Sequence, residues 1–349
     1  MEKERIHNLD YLRGLAASGI MFFHYLSYTL GEFHAENFFG RVGIYGVSIF
    51  YILSGLTLYK VYYSENTSQP FNTRVFFVKR ILRIYPLMTI ISLMSIWLFK
   101  GFDCTLYEFI INITGLFGFI DWDKGVATGI WSIGNELVFY AFFPLLLLAA
   151  KRKGLWLHLM LLISLVLYWY FAFVAIDLGD SASPMIRRHY MNPFNQIFLF
   201  AAGFGLGHFF KAKLSMLQAS ILVVIGTVSF YAYPVAGNRY LLITDWSRFV
   251  LTFSCILITI AFYSYQGGLP KLIASILKWT GTISYSIYLL HPLVHHIVGL
   301  IRDNPALGIP HFPEMIRLPL SVALTLALSH VSYYYFEMPI SQWGKSKLG

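Results

Sequence analysis

Long apolar runs separated by short polar segments dominate this chain. Runs able to cross roughly 30 Å of hydrocarbon recur about ten times, near residues 10–30, 43–63, 84–100, 131–150, 154–176, 193–211, 217–235, 246–265, 281–300 and 317–337. A helix bonds its own backbone internally, so runs of this length with few charges predict transmembrane α-helices. The pattern therefore predicts an all-α membrane protein with about ten transmembrane helices. A further apolar piece, LYEFIINITGLFGFI at 106–120, is shorter and carries Glu108, and it reads as an interfacial or re-entrant helix. The stretch from Pro70, PFNTRVFFVKRILRIYP, interleaves Arg74, Lys79, Arg80 and Arg83 with apolar residues. That is the mark of a basic amphipathic helix lying in the inner interface after the second span.

Composition agrees with the pattern: 57% of the 349 residues are hydrophobic and 12% charged, against about 25% charged in soluble proteins. With ten spans and an inner N-terminus, most of the 26 basic residues fall in inner segments, opposed only by Glu2, Glu4 and Glu65. Asp121, Asp123, Asp177 and Asp180 fall outside. This asymmetry puts both termini in the cytoplasm and assigns the net charge of +9 to membrane orientation rather than to nucleic acid. Lys3 and Arg5 precede an apolar segment, but Arg13 interrupts it and no small-residue cleavage site closes it, so it is expected to stay as the first span. Cys104 and Cys255 are too few for a disulfide framework and read as packing residues. No internal repeat or linker divides the chain, so residues 1–349 are expected to form one membrane domain.

Ionisable groups at lipid depth normally face a bundle interior or a wet cavity, which makes each a candidate functional residue. Arg13 and His24 stand eleven positions apart in the first run; at about 100° per residue they share a helix face, roughly 16 Å apart along the axis. Arg80 and Arg83 lie one turn apart, where two guanidinium forks can hold phosphate or lipid headgroups. Ser132 and Glu136 follow Trp131 near the outer end of a span, and a carboxylate there must be paired, protonated or wet. His291 is mid-span and precedes Pro292, which frees backbone groups nearby and suggests a kink. His7, His34, His158, His189, His208 and His311 have no partner at ligand spacing, and the adjacent His295 and His296 point to different helix faces, so no metal site is expected.

Taken in order, these segments resemble a family. NLDYLRGLAASGIMFFHY resembles the opening motif of the acyltransferase 3 family of multi-spanning membrane proteins. GVSIFYILSGL, RILRIYPL, WSIGNELVFYAFFPLLL, SYSIYLLHPLV and YYYFEMPI are similar to its following motifs, so six motifs in family order span residues 8–340. One departure is that members often carry two adjacent acids after the Trp-Ser, whereas here Leu137 follows Glu136. Some members also append an extracytoplasmic SGNH-type esterase domain. This sequence holds no such segment, so the membrane domain, alone or with a separate protein, is expected to complete the reaction.

The resemblance implies transfer of an acyl group, commonly acetyl from acetyl-CoA, to a hydroxyl of a surface or lipid-linked carbohydrate. It implies a multi-pass protein of the bacterial cytoplasmic (inner) membrane. Coenzyme A is cytosolic and anionic, so Arg80, Arg83 and Arg13 are its expected contacts. His24, deeper on the face of Arg13, is the expected general base, since imidazole titrates near neutrality. The oxyanion donors are Ser132, Tyr285 or an arginine. Glu136 either orients a histidine or binds acceptor hydroxyls, and His291 is either a second acid/base group or a support for the fold. A covalent acyl-histidine is a second route. The competing class is a transporter that uses Arg13, His24 and Glu136 as a polar pathway without chemistry.

Overall fold

The computed structural model describes residues 7–63, 71–152, 154–179, 184–307 and 311–347. Glu2, Lys3, Glu4, Arg5, Glu65, Lys153 and Asp180, used above to orient the chain, lie outside the described residues. The described regular structure is helical, apart from one isolated bridge between Leu214 and Tyr265.

The chain opens with α1 (His7–Leu30), α2 (Phe38–Tyr62) and α3 (Thr73–Ser95), the last extended by a π-helical turn, Ile96–Lys100. Two short helices, α4 (Leu106–Ile113) and α5 (Phe117–Ile120), precede α6 (Ile130–Lys151) and α7 (Trp156–Tyr170). Then come α8 (Pro184–Met191), α9 (Pro193–Phe209), α10 (Met216–Ala232) and α11 (Asp245–Ser264). The chain closes with α12 (Lys271–Thr282), α13 (Ser284–Arg302), α14 (Glu314–Ser332) and α15 (Met338–Lys347), with a π turn at Tyr333–Glu337 joining the last two. Side-chain caps set several starts: Asn37 and Asn72 accept from the amides of Phe39 and Val75 at 2.8 and 3.0 Å. Thr105 with Glu108, and Ser215 with Gln218, form reciprocal capping boxes.

Among the described residues, six helical stretches are long and apolar enough to cross a membrane: Phe38–Tyr62, Thr73–Lys100, Ile130–Lys151, Trp156–Ala175, Asp245–Ser264 and Glu314–Lys347. The other expected spans are shorter or more polar: α9 and α10 have 17 residues each, α1 carries Asp10, Arg13 and His24, and α13 carries His291, His295 and His296. The 106–120 piece is α4 and α5, of eight and four residues, each too short for a crossing. The basic stretch after the second span differs from expectation. From its Asn72 cap it runs unbroken into the next apolar run as α3, and Pro86 sits inside the helix without ending it.

Contacts sort the loops into two ends. At one, Asn8 donates to the Tyr265 carbonyl, Lys211 to the Gly207 carbonyl, and Gly344 lies against Leu82. At the other, the Ala35 amide meets the Gly237 carbonyl at 2.9 Å and Arg188 pairs with Asp121 at 3.5 Å. Arg41, 2% exposed, donates there to the carbonyls of Ala35, Phe230, Tyr231, Tyr233 and Val235, tying α2 to the frayed end of α10.

Helix α1 is central and packs against α2, α12 and α13. The tightest seam joins α2 to α9, where a Cβ on Gly55 would stand 2.0 Å from the Phe200 carbonyl oxygen and one on Gly203 1.9 Å from that of Ile52. Small residues let two backbones approach where lipid supplies no hydrophobic drive.

Candidate active site

Residues from α1, α2, α3, α6 and α13 enclose a cavity of about 90 Å³ lined by Arg13, Ser54, Thr57, Arg80, Arg83, Ser132, Glu136, Tyr140, Tyr285 and Tyr288, among others. Six of the eight residues singled out from sequence thus share one chamber. Arg13 reaches it through an ion pair with Asp10 at 3.0 Å and a bond to Thr57 Oγ1 at 2.5 Å. Neither Arg80 nor Arg83 has an ion-pair partner among the described residues. The Arg80 guanidinium lies 5.8 Å from the centre of the Tyr140 ring, and its Nε is buried without a hydrogen-bond partner. Arg80 is half-buried and Arg83 exposed, so two guanidinium groups without an ion-pair partner are open to an arriving anion.

Glu136 faces this chamber. Its Oε1 accepts from Ser54 Oγ at 2.8 Å and from the Tyr140 hydroxyl. It contacts neither histidine, so of the two roles considered, orienting a histidine has no contact to support it. Tyr285 lines the wall, but its hydroxyl donates to the Ile84 carbonyl at 2.6 Å, which commits the proton an oxyanion donor would need. Ser132 Oγ lies 2.9 Å from the Gly129 carbonyl oxygen and 2.7 Å from the Tyr288 hydroxyl, and the one proton of each hydroxyl is spent within this group of three atoms.

His24 and His291 are brought together outside that chamber, with ring centroids 5.2 Å apart on α1 and α13. His291 is 1% exposed, and its Nδ1 lies 3.0 Å from the Ile287 carbonyl oxygen. A carbonyl only accepts, so Nδ1 carries the hydrogen and Nε2 holds a lone pair. That Nε2 is buried and has no partner among the described residues. Around the pair lie Tyr28, stacked 5.8 Å from His24, and Tyr25, whose hydroxyl donates to the His291 carbonyl at 2.9 Å.

Tyr288 separates chamber from histidines. It lines the chamber, donates to the Gly129 carbonyl at 3.0 Å, and its ring centre lies 6.1 Å from that of His291. Arg13 therefore lines the chamber, whereas His24 stands outside it beside His291. Sequence reasoning missed Tyr288, although its position three residues before His291 placed it on the same helix face. It also missed Ser54, Tyr140 and Thr57, whose partners lie on other helices. Glu337 of the closing motif is held away from the chamber, accepting from Ser286 at 2.6 Å and Ser332 at 2.8 Å.

Comparison with known proteins follows this geometry. Over its whole aligned length the chain is 23% identical to peptidoglycan O-acetyltransferase OatA of Listeria monocytogenes, covering 98% of this chain and 57% of the relative. It is 24% identical to ORF330 of Acidianus two-tailed virus, provisionally named an acetyltransferase, over 86% of this chain and 87% of that protein. YrhL of Bacillus subtilis, provisionally named a peptidoglycan O-acetyltransferase, is 23% identical over 97% of this chain and 55% of its own length. The chain thus spans little more than half the length of OatA and YrhL. No solved structure matches it. The profile described as an acyltransferase domain covers residues 6–334, which takes in the first five motifs and the opening two residues of the last, and the chain belongs to the acyltransferase 3 family.

Proposed function

We propose that this protein is a membrane O-acyltransferase that moves an acyl group, acetyl foremost, from cytosolic acyl-CoA to a carbohydrate hydroxyl beyond the membrane. The observation that carries this reading is the placement of the His24 and His291 rings 5.2 Å apart, one tyrosine away from a chamber holding two unpaired arginines. Arg80 and Arg83 receive the phosphates of the donor, with Arg13 beside them. An extended pantetheine then carries the thioester past Tyr288.

In the reaction, the acceptor oxygen attacks the thioester carbon while His24 takes the hydroxyl proton. The carbon–sulfur bond breaks, the ester forms, and the proton returns from the imidazolium to the departing thiolate. His291, with its lone pair fixed by Ile287, is the second imidazole available to hold that proton. The hydroxyl protons of Ser132 and Tyr288, like that of Tyr285, are committed within the protein, which leaves an arginine as the oxyanion donor, and Glu136 binds acceptor hydroxyls.

The bilayer reading extends to ten crossings in a bacterial cytoplasmic membrane with both termini inside. It is supported by the separation of the loops into two ends and by the basic character of one of them. Peptidoglycan, named for OatA, is the first acceptor to test. Purified protein in vesicles, given labelled acetyl-CoA and peptidoglycan fragments, should release coenzyme A and label the glycan. Movement of substrate with the thioester intact would favour a transporter instead, and sink the reading.

A further inference from the structure

A second cavity, of about 300 Å³, lies towards the other end of the bundle and shares no lining residue with the first. Its wall includes Tyr28, Thr128, His295, His296 and Arg317, together with Pro292 next to His291. Two buried nitrogens at this wall have no partner among the described residues: His295 Nε2 and Arg317 Nε. His295 is 2% exposed, and its Nδ1 sits 3.0 Å from Ser321 Oγ, which fixes the ring. It belongs to the histidine cluster, since its ring lies 5.4 Å from that of Tyr28 and 4.7 Å from that of Tyr25, both beside the His24–His291 pair.

The charge here differs from that of the arginine chamber. Arg317 is already paired with Glu314 at 3.0 Å, and Arg302 contacts the same carboxylate oxygen. Its Nη2 donates to the His295 carbonyl at 3.2 Å. The cation is thus neutralised and anchored, and Nε is its one buried nitrogen with no partner among the described residues. Gly299 leaves the space for it, because a Cβ there would stand 2.6 Å from Arg317 Nη2. An anion has no uncompensated charge to meet. A hydroxyl suits both kinds of orphan, since it can accept from Arg317 Nε–H and, being donor and acceptor, can pair with His295 Nε2 in either tautomer that the Ser321 contact permits.

We propose that this second cavity is the acceptor site, that it takes an uncharged, hydroxyl-bearing sugar unit, and that His295 and Arg317 position the hydroxyl for the His24–His291 pair. This rests on the acyl-transfer reading above. Donor and acceptor then enter from opposite ends, and the histidines stand between them. The residue that His295 pairs with functionally is His291, one turn before it on the same face.

The test uses membrane vesicles from cells expressing the full chain, which supply their own acceptor, and labelled acetyl-CoA. Two quantities are read: label entering glycan, and acetyl-CoA binding by the purified protein. His295→Ala and Ala127→Phe, which fills the second cavity from another residue of its wall, should each lower incorporation by at least about tenfold, the scale of one lost buried hydrogen bond or more, while acetyl-CoA dissociation constants stay at the wild-type value. His295→Gln, which keeps an acceptor atom, should recover part of the loss. Wild-type incorporation in His295→Ala and Ala127→Phe overturns the acceptor site alone. Loss of acetyl-CoA binding in both variants also overturns it, by placing these residues in the donor path or the fold. Wild-type vesicles that incorporate no label overturn the acyl-transfer reading and this inference together.

Discussion

The imidazoles of His24 and His291 lie 5.2 Å apart, and His291 alone of the two is fixed by a hydrogen bond, from Nδ1 to the Ile287 carbonyl. One ring is therefore held with its lone pair inward while the other keeps freedom to meet a substrate. His24→Ala should lower acyl transfer by about 10²-fold or more while membrane insertion is preserved. His291→Ala should cost a similar factor, and the double variant little beyond either single one, because groups acting as a unit are not additive. Transfer rates measured with labelled acetyl-CoA check this. Normal turnover in His24→Ala would remove it from the chemistry.

The two unpaired arginines of the chamber make a separate prediction. Arg80→Ala should weaken acyl-CoA binding by about tenfold, or roughly 1.4 kcal/mol, with a smaller effect on the bound-state rate. Arg80→Lys should recover only part of the affinity, since an ammonium lacks the bidentate fork. Equilibrium binding of labelled acyl-CoA decides, and an unchanged dissociation constant excludes Arg80 from the phosphate contacts.

Direct transfer and a covalent acyl-histidine differ in what remains on the protein. With His24 as a base, labelled acyl-CoA given without acceptor should leave no label after denaturation. Label retained by wild type and missing from His24→Ala would establish the covalent route.

Tyr288→Phe removes the bonds to Ser132 and Gly129 without changing ring size. Loss of about 1 kcal/mol of stability is expected, with acyl-CoA hydrolysis rising relative to transfer as the divider loosens. Thermal unfolding and the ratio of free acetate to acetylated product measure the two effects.

At the α2–α9 seam, Gly55→Val should prevent accumulation of folded protein, since its Cβ would sit 2.0 Å from a backbone oxygen that cannot retreat. Normal amounts of active protein in that variant would show that the helices can separate.

The architecture was legible because lipid demands long apolar runs, and the chemistry was legible because lipid punishes stray charge. Arg13, Arg80, Arg83 and Glu136 stand out for that reason, and they line one chamber together with Ser132 and Tyr285, which were offered as oxyanion donors. Helical periodicity gives the face of a residue on its own helix, but not the helix opposite. Hence Glu136 was offered a histidine and meets Ser54 and Tyr140 instead. His24 and His291, on the first and thirteenth helices, become neighbours only through the packing of α1 on α13. The basic run at 73–83 was separated from α3 because charge and apolarity change sharply there, whereas the backbone needs only an uninterrupted hydrogen-bond ladder to continue.

The division made by Tyr288 bears on more than catalysis. The two cavities share no wall residue, and the ring of Tyr288, which lines the first, stands 6.1 Å from that of His291. A membrane that stores energy as a proton gradient tolerates no open conduit. Under the proposed acyl transfer, two cavities with no wall in common offer the cargo a relay in place of an open channel.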